Sequence, residues 1–169
     1  AAFAEIWNKN IEGVNATPET TGASVANVNL LRDDKVEVVF VQNDIAYYAE
    51  NGTEVFKDNK YGDIKGLATL YPETIQIVAI EGKGINTLAD LKGKKVAVGA
   101  AGSGTEANAR QILAAAGITY DDINVQYLSF SDAANNLKDG NIHAAFVTAG
   151  FPTAAIQDIA SQHKVKLVP

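Results

Sequence analysis

The sequence predicts an α/β protein of two lobes, with parallel sheets and helices on both faces. Three observations carry that expectation. Strand-length apolar runs alternate with helix-period segments along most of the chain, and β-α alternation implies parallel strands covered by helices. A composition break, Glu81-Gly82-Lys83-Gly84, falls near the middle. The chain also echoes itself, since Leu31 to Val41 aligns with Leu137 to Val147 at a constant offset of 106 residues. Leu, Asp, Phe and Val recur identically in the two copies, and Arg/Lys and Val/Ile conservatively. Each copy reads as a helix end, a charged turn and a buried strand that runs out into a polar residue, Gln42 in the first and Thr148 in the second. Residues 1–80 are therefore expected to form part of one lobe and residues 81–169 the other.

The elements follow in order. Phe3, Ile6, Trp7 and Ile11 recur at helical spacing, which gives a first amphipathic helix. Val14 to Thr17 is a short strand candidate ended by Pro18. Ser24 is placed to cap a helix carrying Val25, Val28 and Leu31. Val36 to Val41 reads as a buried strand, and Asn43 as the cap of a helix with Ile45, Tyr47 and Tyr48. Lys65 to Tyr71 and Thr74 to Ile80 are extended runs, and Pro72 bars their fusion into one central strand. Beyond the break come a short helix (Leu88 to Leu91), a strand (Lys95 to Gly99) and a long helix from Thr105 to Ala116 that Gly117 stops. Asn124 to Leu128, Ser131 to Lys138, His143 to Thr148 and Thr153 to Ala160 continue as strand, helix, strand and helix.

Composition removes whole classes of function. The formal charge is −6, and Arg32 and Arg110 are the only arginines. Nucleic-acid affinity rests on Lys/Arg–phosphate contacts, which an acidic chain without a basic stripe does not supply. The absence of cysteine excludes disulfides, zinc-thiolate sites and thiol catalysis. No run approaches the roughly 20 apolar residues of a membrane span, so direct membrane insertion is not expected. There is no methionine, and the opening residues read as a helix. The chain is accordingly expected to start inside a domain, with the first strand of the first lobe missing.

One turn stands out chemically. Lys95 to Gly99 leads through Gly102-Ser103-Gly104-Thr105-Glu106-Ala107 into the long helix. Gly102 and Gly104 let backbone approach a ligand, and the amides opening a helix, with its dipole, favour an anion. The hydroxyls of Ser103 and Thr105 would assist. The bland alternative is a self-capped helix start. At the tip of the first-copy strand, Gln42 and Asn43 carry amides that donate to a carboxylate and accept from an ammonium; the alternative is a cap and a hydrated loop. Tyr71, beside Pro72, is a candidate to stack on a ligand or seal a hinge. In open α/β sheets ligands bind beyond the carboxyl ends of strands. Two such tips facing one another would make one site.

Catalytic readings fare poorly. Gly102 to Ala107 fits the G-x-G-x-x-A form of a dinucleotide fingerprint, which would suit a nucleotide-dependent enzyme. The acidic residue that motif needs after the next strand is missing, because Leu128-Ser129-Phe130-Ser131 stands there. No Gly-Lys-Ser/Thr follows for a phosphate loop. His143 and His163 lie apart, with no serine or carboxylate arrangement around either, and no HExxH, nucleophile elbow or EF-hand loop occurs. No catalytic residue, metal site or cofactor is expected.

With these residues in view, the chain resembles the TAXI family of solute receptors, which serve TRAP-type transporters. The carrying segments are Ala4 to Asn8, Phe40 to Tyr48, Thr69-Leu70-Tyr71-Pro72-Glu73, Val96 to Gly99 running on to Glu106, and Phe146 to Gly150. The resemblance implies a type II periplasmic-binding-protein fold, a periplasmic or extracytoplasmic location, and delivery of a small carboxylate such as glutamate to a membrane permease. It places Gln42, Asn43 and Tyr71 on the first lobe's wall, and Gly102, Ser103, Gly104, Thr105 and Thr148 on the second's. Members of that family open with a strand and a Gly/Thr-rich loop ahead of the first helix and continue past the position of Pro169. An incomplete portion of the fold is therefore expected, whose open sheet edge invites pairing with a second copy. The binding domain of another receptor with the same fold is the nearest alternative.

Overall fold

Val96 and Val98 face one side of their strand and Ala97 the other, and this period-2 alternation builds the core of the protein. A computed structural model describes residues 1–169. Five strands, β1 (Thr74–Ile80), β2 (Lys95–Gly99), β3 (Asn124–Tyr127), β4 (Ala144–Ala149) and β5 (Val165–Leu167), form one sheet in the order β3-β2-β4-β1-β5. Helix α4 (Gly104–Ala115) covers one face, where Ala109 and Leu113 join Val96, Val98, Ala144 and Phe146. Helices α5 (Phe130–Lys138) and α6 (Ala154–Gln162) cover the other, where Ala133, Leu137 and Ile159 join Ala97 and Ala145.

The N-terminal half contributes no strand ahead of β1. Helices α1 (Ala2–Asn10), α2 (Ser24–Arg32) and α3 (Asn43–Asn51) precede a 3-10 turn, Glu54–Phe56. Val28, Ile45, Ala49 and Phe56 pack with Ala107 of α4 as a separate cluster. Helix α4 is thus buried on two sides, by the sheet and by α2 and α3.

Several expectations are corrected. Val14 to Thr17 is irregular, and Lys65 to Tyr71 pairs with nothing. Val36 to Val41 is not a buried strand: no ladder partner adjoins it, and Val38 and Phe40 are 46% and 56% exposed. A β-branched run forms a strand only where a neighbouring strand supplies hydrogen bonds, and residues 1–73 supply none. The sheet is not wholly parallel. β2 runs parallel to β3 and β4, whereas β1 runs antiparallel to β4 and β5. β4 and β5, both antiparallel to β1, run parallel to each other, and α6 is the crossover helix that joins them.

The internal echo is visible bond by bond. Asp33 N donates to Asn29 O and Asp139 N to Asn135 O, both at 3.0 Å; Lys35 N to Leu30 O and Asn141 N to Asn136 O are both 2.9 Å. Each turn has a left-handed residue at the same place, Asp34 with φ 51° and Gly140 with φ 72°. Both helices therefore end in one type of αL stop.

Candidate functional site

At the end of β2 the chain must turn sharply to enter α4. Gly99 (φ 100°) makes the turn with Ser103 Oγ and Thr105 Cβ each 2.9 Å from where its own Cβ would lie. No other residue fits there. Ser103 caps α4, its Oγ accepting from Glu106 N at 3.1 Å, while Ser103 N donates to Ala100 O at 3.1 Å. The self-capping alternative therefore holds for these two amides. Ser103 and Thr105 are both buried. The Gly102 carbonyl in turn accepts from Val25 N and Ala26 N, each at 3.0 Å, and so anchors the start of α2.

The two anticipated tips meet. Gln42 stands just ahead of α3, its backbone N donating to Ser24 Oγ at 3.1 Å. Ser24 opens α2 instead of capping it, and Asn43 forms no capping bond to α3. The Gln42 carboxamide lies against Gly104, and a Cβ at that position would collide with it. Gln42 Nε2 donates to Asn108 Oδ1 at 2.9 Å, and Asn108 Nδ2 donates to Asp44 Oδ2 at 2.7 Å. Thr148, at the end of β4, donates to Asn108 Oδ1 at 3.4 Å. Asp44 Oδ1 accepts from Ile45 N at 2.8 Å. Six of the eight expected residues, Gln42, Gly102, Ser103, Gly104, Thr105 and Thr148, are thus brought together by the fold. Asn43 and Tyr71 are exposed and form no hydrogen bond to this cluster.

Sequence reasoning passed over Asp44 and Asn108. Asn108 is 5% exposed yet polar, and a buried amide requires partners. Its signal was a polar residue one helical turn beyond Gly104, which a count of helix faces would have flagged. Glu73, immediately ahead of β1, has its carboxyl pushed above the ordinary range, first by desolvation and then by the charge of Asp44. Apart from this cluster, Arg110 Nη2 meets Glu106 Oε1 at 2.6 Å, Tyr120 OH donates to the same oxygen at 2.9 Å, and Arg110 stacks over the Tyr120 ring at 4.2 Å. A shallow concavity of about 580 Å³ borders this second group, between α4 and the Glu54–Phe56 turn. His143 Nδ1 accepts from Lys95 N and links β4 to β2.

A mixed five-stranded sheet covered on both faces, with helix starts and strand ends gathered at one edge, is the lobe architecture of the type II periplasmic binding proteins. The chain belongs to the NMT1-like family, whose model matches residues 1–169. It is similar to the alkanesulfonate-binding protein of Xanthomonas axonopodis pv. citri, solved with MOPS, at 18% identity and a TM-score of 0.63 over 99% of this chain and 54% of that one. It is also similar to the periplasmic aliphatic sulphonate binding protein of Escherichia coli, at 29% identity and a TM-score of 0.50 over 59% of this chain and 33% of that one. The chain spans about half the length or less of these relatives. Both are binding proteins by name. No helix is long and apolar enough to cross a membrane.

Proposed function

We propose that this protein captures a small anionic solute between two lobes and hands it to a membrane permease. The observation that supports the reading is the contact of the Gln42 carboxamide, just ahead of α3, with Gly104 at the start of α4, 62 positions away in the sequence. Because β1 pairs with both β4 and β5, the lobe boundary expected at residue 80 would lie ahead of Thr74, with residues 1–73 in one lobe, 74–169 in the other and closure about a bend before Thr74. Closure would bury the ligand and present a new surface to the permease, a population shift driven by contacts made only in the closed form. The ligand is a small carboxylate, glutamate-like or another organic acid, and the protein, periplasmic or extracytoplasmic, delivers it to the membrane permease of a TRAP-type transporter. The segments resembling TAXI receptors support this finer assignment.

A second reading is kept because both relatives bind sulfonates by name, and helix-start amides accept carboxylate and sulfonate alike. Calorimetric titration of the intact protein with glutamate, other organic acids and aliphatic sulfonates separates the two. Micromolar affinity, about −8 kcal/mol, is expected for one class. Gly104→Ala, which drives a methyl into the Gln42 carboxamide, is expected to weaken that binding about tenfold. Absence of heat from every anion overturns the proposal.

A further inference from the structure

Residues 1–73 and 74–169 meet over a small, polar contact. Val25 N and Ala26 N donate to Gly102 O, each at 3.0 Å. Gln42 Nε2 donates to Asn108 Oδ1 at 2.9 Å, Asn108 Nδ2 to Asp44 Oδ2 at 2.7 Å, and Tyr48 OH to Gln111 Oε1 at 3.4 Å. No ion pair crosses between the halves. On the side of residues 74–169 every one of these bonds falls between Gly102 and Gln111. Ala107, in the middle of that stretch, is the one residue of its half in the cluster of Val28, Ile45, Ala49 and Phe56.

The contact supplies what the first half lacks. Ala23, just ahead of α2, has no side-chain oxygen to offer, so the amides of Val25 and Ala26 would stand unpaired. The Gly102 carbonyl takes both. Backbones approach this closely because a Cβ on Gly22 would lie 2.6 Å from Ala101 O and one on Gly104 would strike Gln42, and neither residue has one. Within the first half, Gln42 N donates to Ser24 Oγ at 3.1 Å and ties the start of α2 to the Gln42 contact. Within the second, Gly102 and Asn108 belong to one turn and the helix it opens. The two ends of the contact are therefore joined on both sides.

We infer that this contact is a latch, in which the chain's own groups hold the two halves together without help from a solute and let go as one unit. The inference rests on the two-lobe reading above. A receptor latched in this way is shut in its major state. Solute then enters only through the minor open state, and its apparent affinity is lowered by the open fraction.

The test needs no ligand. The chain has no cysteine, so Glu50→Cys on α3 and Lys92→Cys, both at exposed positions, carry one spin label on each half. The protein is refolded from denaturant to shed any bound solute, and the distance between labels is read by pulsed electron paramagnetic resonance. One narrow distance is expected. Asn108→Ala and Gln42→Ala should each add a second, longer distance. In both variants the amides of Val25 and Ala26, held by Gly102 and not by the altered side chain, should exchange with solvent about tenfold faster. A broad or double distance in the protein without these changes overturns the latch and leaves the two lobes standing. Unchanged exchange at Val25 and Ala26 overturns it too, since the parts would then open independently. If the distance stays single in both variants and in Gly104→Ala, which drives a methyl into Gln42, the halves never part, and the two-lobe reading falls with the latch. Folding of each variant is checked by its thermal transition, and Gln42→Ala keeps the test readable should Asn108→Ala fail to fold.

Discussion

Glu73 shows how one side chain couples stability to pH. Desolvation and the neighbouring Asp44 raise its folded-state pKa above the ordinary value of 4.5. Between 4.5 and the raised value the folded protein holds a proton that the unfolded chain has released, so stability falls as pH rises through that window. Glu73→Gln, which cannot ionise, should be more stable than the parent at pH 7 and nearly equal to it below pH 4.5. Denaturant melts at a series of pH values check this, and a difference that does not change with pH would refute it. Asn108 belongs to the same scale but answers differently. Its amide satisfies three side chains at once, and loss of such a buried hub leaves groups unpaired at about 1–3 kcal/mol each.

Among the elements, α4 carries the most. It packs on the sheet through Ala109 and Leu113, on α2 and α3 through Ala107, and brings Gly104 and Asn108 to the edge where the tips meet. Its exit is fixed by Gly117, whose φ of 68° an L side chain adopts only under strain. Gly117→Ala is expected to destabilise the protein by about 1 kcal/mol, read as a lower denaturant midpoint with an unchanged slope; no shift in midpoint would mean the turn relaxes. The segment Val36 to Val41 is the opposite case. Its sequence is that of a strand and its copy in β4 is one, paired on both sides by β2 and β1. The first copy has no such neighbours. What differs between the two is context and not propensity.

For the molecule as a whole, that unpaired segment has a consequence in solution. Val38 and Phe40 are exposed, and Phe3 of α1 packs on Phe40 with ring centroids 5.5 Å apart. Free backbone groups beside exposed apolar side chains invite a second strand. The 169-residue chain by itself should self-associate through this segment, giving a sedimentation profile that depends on concentration. Val38→Lys should suppress that dependence, because a lysine blunts an open edge. A monomer at all concentrations would show that the edge is adequately shielded by α1.

The sequence alone determined the element types wherever periodicity was strong and local. β2 begins and ends where the Lys95 to Gly99 run does, and α4, α5 and α6 fall within about two residues of their expected bounds. The echo between residues 31–41 and 137–147 was legible too, since a helix end and its αL turn are written in adjacent residues. So was the turn from β2 into α4 at the candidate site, because glycines and hydroxyls at a strand-to-helix turn carry a local signature. Tertiary structure decided the rest. Strand direction in β1, the lone state of Val36 to Val41, and the meeting of Gln42 and Asp44 with Asn108 all depend on what lies across the fold. Pairing and buried polar satisfaction are relations between distant residues, and no window of neighbouring residues contains them.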